Sequence, residues 1–154
     1  MISIALDSNI LAYLAGVCRV PADAPKIQEV RRLITMLSPS VKLIAPTQAL
    51  GELFVVLRRA GADPQSARSV LLEFAQAFDA PQTSPSTVSA AADLVVDHHL
   101  QFWDAVILSA CADAGCQILL SEDMQSGFVA RGVTIINPLA TSPHPKLAQL
   151  LAAS

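Results

Sequence analysis

Ile2 to Leu6 is a short apolar run that ends at an acid, Asp7. Its length and isoleucine content predict a buried strand. Ser8-Asn9 then opens a helical stretch over Ile10–Ala15 that Gly16 closes. After a proline-punctuated loop, Val20–Pro25, residues Ile27, Val30, Ile34 and Leu37 recur at helical spacing and stop before Pro39. Val41–Ala45 predicts a second short strand. From Pro46 to about Ala60, Leu50, Leu53, Phe54 and Leu57 line one helical face, and Gly61 ends it. Asp63-Pro64 is a cap followed by a first-turn proline; Ala67, Val70, Leu71, Phe74, Ala75 and Phe78 follow at a 3.6 period. A weak third strand is expected over Phe78–Pro81. Ser84-Pro85 starts a helix with Val88, Ala91, Ala92 and Val95 inside. Phe102–Ala114 is almost wholly apolar and predicts a buried helix, closed by Gly115. Cys116–Leu120 and Val133–Ile136 complete the strands.

Short apolar strands alternating with longer helices define an α/β chain with a mostly parallel sheet of four to five strands. The expected architecture is three layers, α/β/α, over residues 1–140. Residues 141–154 read as a C-terminal extension, helical from the spacing of Leu147, Leu150 and Leu151.

Composition narrows the function. The chain has 154 residues, 53% hydrophobic and 15% charged, so it has ample apolar surface for one core. The longest stretch free of charged residues, Gly132–Pro145, is shorter than the ~20 residues of a spanning helix and holds three prolines. No basic, apolar leader opens the chain, so no membrane association is expected. A net charge of −3 argues against a protein that coats DNA, but not against a nuclease whose acids are gathered in its site. Cys18, Cys111 and Cys116 form no CxxC pair and read as reduced, buried thiols of a cytoplasmic protein.

Open parallel sheets bind ligands at the carboxyl ends of their strands. Asp7 follows the first strand; Ser121, Glu122 and Asp123 follow Cys116–Leu120. Glu52 and Asp104 are each the lone charge in an apolar helical run, which is unfavourable to bury without compensation. Taken singly, each has a plain structural explanation. Asp7 could be an N-cap, Asp104 a first-turn acid, Asp123 a turn residue and Glu52 a partly exposed helix residue. Together they could meet in one cleft. Four carboxylates there repel, and a hard cation such as Mg²⁺ or Mn²⁺, which takes oxygen ligands and keeps waters, relieves them. A wet acidic metal site suits phosphodiester hydrolysis, and Arg58, Arg59, Arg68 and Arg131 are candidates for a basic rim that binds substrate.

The motifs resemble those of PIN-domain proteins. Leu6-Asp7-Ser8-Asn9-Ile10-Leu11 is similar to their opening motif. Pro46-Thr47-Gln48-Ala49-Leu50-Gly51-Glu52-Leu53 resembles the second, and Phe102-Trp103-Asp104-Ala105-Val106-Ile107 the third. Leu120-Ser121-Glu122-Asp123-Met124, followed by Gly132–Pro138, resembles the fourth and the last strand. Order and spacing agree over residues 2 to 138, and the short form is most similar to VapC-type toxins. The resemblance implies a Mg²⁺- or Mn²⁺-dependent endoribonuclease. It implies that Asp7, Glu52, Asp104 and Asp123 are the catalytic metal ligands, with Asn9 an orienting amide and Ser121 a supporting hydroxyl. It further implies an RNA substrate, a homodimer and a cognate antitoxin.

Other features carry less. His98-His99 reads as the end of a helix, where histidines suit the dipole. Trp103 is expected to pack in the core rather than stack on a base. A binding or regulatory module of the same fold, taking metal and RNA with little or no cleavage, is the competing function. A phosphoacceptor domain would need a lysine at a strand end, and Lys26, Lys42 and Lys146 do not fall there.

Overall fold

A computed structural model describes residues 1–154. The elements are β1 (Ile2–Leu6), α1 (Ser8–Leu14), α2 (Asp23–Leu37), β2 (Val41–Ile44), α3 (Thr47–Arg59) and α4 (Pro64–Ala77). They continue as α5 (Pro85–His98), α6 (Phe102–Asp113), β3 (Ile118–Leu120), β4 (Val129–Ala130), β5 (Val133–Ile136) and α7 (Pro145–Ala152). The sheet order is β2-β1-β3-β5-β4, with every pairing parallel except β4 with β5.

Successive strand residues point to opposite faces, yet Ile4, Ala5 and Leu6 are each 0% exposed. Helices therefore cover both faces of β1, and this is the three-layer α/β/α arrangement the sequence predicts. The register sets Leu6 beside Leu120, and Leu120 beside Ile136. Asp7 and Ser121 thus leave neighbouring strands at the same edge, and the Asp7 amide still donates to Leu120 O at 3.0 Å. The chain steps from β1 to β2 in one direction and from β2 to β3 in the other. The order reverses at β1, which makes the carboxyl end of β1 the switch point where such sheets open a crevice.

Three details differ from the sequence reading. Phe78–Pro81 forms no strand: a single bridge, Ile44 with Asp79, is all that pairs. Pro81 has no amide to continue a ladder there. The fifth strand is instead β4, only two residues long and so without readable periodicity. It joins β5 through Arg131-Gly132, both at positive φ (50° and 79°), the conformation of a tight hairpin turn. Helix α2 begins at Asp23, so Pro25 lies inside its first turn, where a missing amide costs nothing. The helix over Pro145–Ala152 packs against α2 and buries Leu147. No helix is long and apolar enough to cross a membrane.

Candidate active site

The site grows from the end of β1. Asp7 is only 3% exposed and has two tasks. Its Oδ1 caps α1 by accepting from the Ser8 amide at 2.7 Å. Its Oδ2 accepts from Ser121 Oγ at 2.7 Å and from Asn9 Nδ2 at 3.2 Å. The cap and the cluster are therefore one residue's work, not alternatives. Ser121 is fully buried, and its Oγ also accepts from the amides of Asp123 and Met124 (3.3 and 3.2 Å). That folds the turn after β3 back over the edge. Asn9, in the first turn of α1, ties the pieces together. Its Nδ2 also reaches Asp123 Oδ2 at 3.2 Å, and its Oδ1 accepts from the Glu122 amide at 3.1 Å.

Glu52 and Asp104 approach from α3 and α6, both half-buried. Glu52 Oε2 sits 3.5 Å from Gln48 Nε2. Gln101, not Asp104, caps α6, its Oε1 accepting from the Asp104 amide at 2.9 Å. The Asp104 carboxylate is left without a hydrogen bond. Burial pushes its pKa up to about 6, and repulsion from Asp7, Glu52 and Asp123 adds to that. Burial also raises the Asp7 carboxyl. Bonds from Ser121 and Ser8 oppose the rise, while the charges of Glu52 and Asp123 reinforce it. The four acids thus lie in one another's field, and no basic side chain offsets them.

No group of three or more His, Cys, Asp or Glu side chains is set closely enough to hold an ion by itself. The chemistry of the donors still selects a type of ion. Every donor is oxygen, and the cluster carries uncompensated negative charge. Mg²⁺ and Mn²⁺ match such a set, because Mg²⁺ takes one or two carboxylates directly and fills its remaining positions with water. A closed thiolate or imidazole zinc site does not match it.

The fold and the edge cluster define a class of protein: an α/β/α domain with an acidic crevice at the switch point of its sheet. Solved structures share this fold. Mycobacterium tuberculosis VapC20, a sarcin-ricin loop cleaving toxin, superposes with a TM-score of 0.62 at 18% identity, over 78% of this chain and 89% of that one. VapBC2 from Rickettsia felis, bound to a DNA fragment from its promoter, superposes with a TM-score of 0.61 at 13% identity, over 79% and 88%. The chain shares the PIN-like fold of these two structures. No family model and no curated protein matches the sequence.

Some expected features lie elsewhere. Arg131 is at the opposite end of the sheet, bridged to Asp113 at 2.8 Å and donating to Ser109 O. Arg58 and Arg59 are in the last turn of α3, far along the helix from Glu52, and Arg68 is early in α4. None of the four forms a rim at the carboxyl edge. Trp103 is 47% exposed rather than in the core: it sits in the first turn of α6, while Val106, Ile107 and Ala110 further along the same face are fully buried. Cys18 is exposed, unlike Cys111 and Cys116, since it lies in the loop beyond α1. His99 caps α5 in a left-handed conformation, in keeping with a structural role.

A second group was not visible in the sequence. Tyr13 Oη donates to Glu122 Oε1 at 2.6 Å, and Lys26 Nζ bridges Glu122 Oε2 at 2.9 Å. Burial, then the bond and charge of Glu122, push the Tyr13 hydroxyl up to about 12. Tyr13 lies four residues after Asn9, on the same face of α1, and that spacing was the available signal. Nothing in the sequence brings Lys26 to Glu122.

Proposed function

We propose that the protein is a Mg²⁺- or Mn²⁺-dependent endoribonuclease that cleaves RNA phosphodiesters as the toxin of a toxin–antitoxin pair. The observation that carries this reading is the unneutralised cluster of Asp7, Glu52, Asp104 and Asp123 at the switch point. The likeness in fold to a sarcin-ricin loop cleaving toxin supports it.

Asp7, Glu52, Asp104 and Asp123 would hold the ion, partly through water. A bound Mg²⁺ or Mn²⁺ supplies an activated water and offsets charge on the leaving oxygen. Ser121 and the Ser8 amide fix both oxygens of Asp7, so its direction is set before any ligand arrives. Asn9 holds Asp123 at a set distance from Asp7. Asp104, free of hydrogen bonds, completes the negative wall from the opposite helix.

Residues 1–140 form the catalytic domain and 141–154 its extension. Helix α4 packs its apolar stripe on the core only partly, with Ala67 alone fully buried, and beside that stripe Leu72 is 53% exposed. Such a face suits a second copy of the chain or a cognate antitoxin. Three free cysteines fit a reducing cytoplasm.

Cleavage of an RNA panel, with and without chelator, tests the proposal. Asp7→Asn and Asp104→Asn should abolish cleavage in proteins that keep their circular dichroism. Variants that cut as fast as the parent overturn it. The competing reading is a metal- and RNA-binding module with little or no turnover, which would use the same carboxylates. A calorimetric Mn²⁺ titration beside the cleavage assay separates the two, since binding without hydrolysis selects the module.

A further inference from the structure

A cavity of about 350 Å³ opens directly beside the carboxylates, sharing Asn9 and Asp123 with them. That volume lies within the range of small-ligand sites, roughly 300–1,000 Å³. Its apolar wall comes from Ala12, Val17, Val20 and Val56. Two of its three lining acids, Glu122 and Asp23, are already partnered. Glu122 is bridged to Lys26 and bonded to Tyr13. Asp23 is buried and accepts from the Arg19 and Val20 amides at 3.0 and 3.3 Å, which pins the loop before α2. Arg19 itself is exposed at the cavity and enters none of the four salt bridges of the chain.

We propose that this cavity is a nucleotide subsite: an unpaired RNA base next to the cleaved bond enters against the apolar wall, and its phosphate meets Arg19. The inference rests on the ribonuclease reading and adds to it a place and a residue for substrate selection. An apolar slot with one free guanidinium, continuous with a hydrolytic cluster, matches a flanking nucleotide in both shape and charge. Single-stranded RNA is read in this way, by splayed bases held on side chains, with backbone charge met by arginine. Of the three acids that line it, Glu122 is paired with Lys26, Asp23 is turned to the Arg19 and Val20 amides, and Asp123 belongs to the carboxylate cluster whose charge a bound cation would offset.

The test compares the full-length parent with Arg19→Gln, Val20→Trp and Arg68→Gln, on single-stranded RNA with Mg²⁺ or Mn²⁺. Val20 is 53% exposed, so tryptophan there fills the cavity mouth without entering the core. Arg19→Gln should raise KM about tenfold while kcat stays within a small factor. The slope of log(kcat/KM) against log[salt] should shrink by about 0.7, the loss of one single-strand phosphate contact. Val20→Trp should change the nucleotides mapped at the cleavage junction. Arg68→Gln, which removes the same charge from α4, should do none of these. Unchanged KM, salt slope and junction preference in both cavity variants of an active parent overturn the subsite and leave the ribonuclease reading intact. Unchanged RNA kinetics with loss of inhibition by a cognate antitoxin overturn it as well, by giving the cavity to a protein partner. A parent that cleaves no RNA removes the ribonuclease reading and the subsite with it.

Discussion

The two ends of α6 carry the same side chain in opposite circumstances. Asp104 is in its first turn and Asp113 in its last, about 13 Å apart along the axis at 1.5 Å per residue. Asp113 accepts from Thr87 Oγ1 at 2.7 Å and is bridged by Arg131 at 2.8 Å. Burial acts to raise it, yet those two hydrogen bonds and the arginine charge hold it below the usual carboxylate range. Asp104 has no such partner, and burial with three like charges pushes it up to about 6. The chain thus supplies partners to an acid when the acid serves the fold. At the carboxyl edge it gives Asp7, Asp123 and Glu52 only neutral donors and Asp104 none, which leaves charge to be met by something that binds.

Substitution sharpens the contrast most at the site. Asp7→Asn and Asp104→Asn should lower RNA cleavage by about a hundredfold or more. Asp104→Asn should also raise the Tm of the metal-free protein, because it removes a repelled charge. A drop in Tm would show that Asp104 is structural. Asn9→Ala should cost about tenfold in cleavage rate, through loss of the link between Asp7 and Asp123, and lower Tm by a few degrees, because the Glu122 amide loses its acceptor.

The two ends should also respond to pH with opposite signs. Asp7 and Asp104 bind protons more tightly folded than unfolded. Their stabilising contribution is complete below the ordinary value of 3.8 and is lost as pH rises, through about 6 for Asp104. Asp113 contributes above its ordinary value, and that contribution is lost as pH falls through its lowered pKa. In chelator, Tm should therefore decline from pH 5 to 7. The decline should flatten in Asp104→Asn and be reversed at pH 7 by added Mn²⁺. At the far end the effects are smaller. Asp113→Ala should cost about 1 kcal/mol, or about 2–4 °C in Tm, and leave cleavage alone. A matched loss of cleavage would break the division between the two ends.

Most of this division was legible in the sequence, for physical reasons. Asp7 and Asp123 follow strands whose apolar runs are unambiguous, and parallel strands place their ends together. Glu52 and Asp104 stand out because each interrupts an apolar helix. The basic rim was not legible, because the position of an arginine along a helix does not give the edge of the sheet it reaches. Arg131 lies at the far end because it occupies a hairpin turn, and β4, at two residues, is too short to announce that hairpin. Trp103 was misplaced because a side chain of that size reads as core whether it lies in the middle of a helix or, as here, in its open first turn. The Tyr13–Glu122–Lys26 group depends on packing between α1, α2 and the turn after β3, which periodicity does not encode.

The side-chain carboxyl of Asp104 can be followed by carbon-detected NMR through a pH titration, first in chelator and then in saturating Mg²⁺. An uncompensated cluster predicts a midpoint near 6 without metal and a large downward shift once Mg²⁺ is bound. A midpoint near 3.8, unmoved by Mg²⁺, would mean that the four acids do not share one field and that no cation is needed among them.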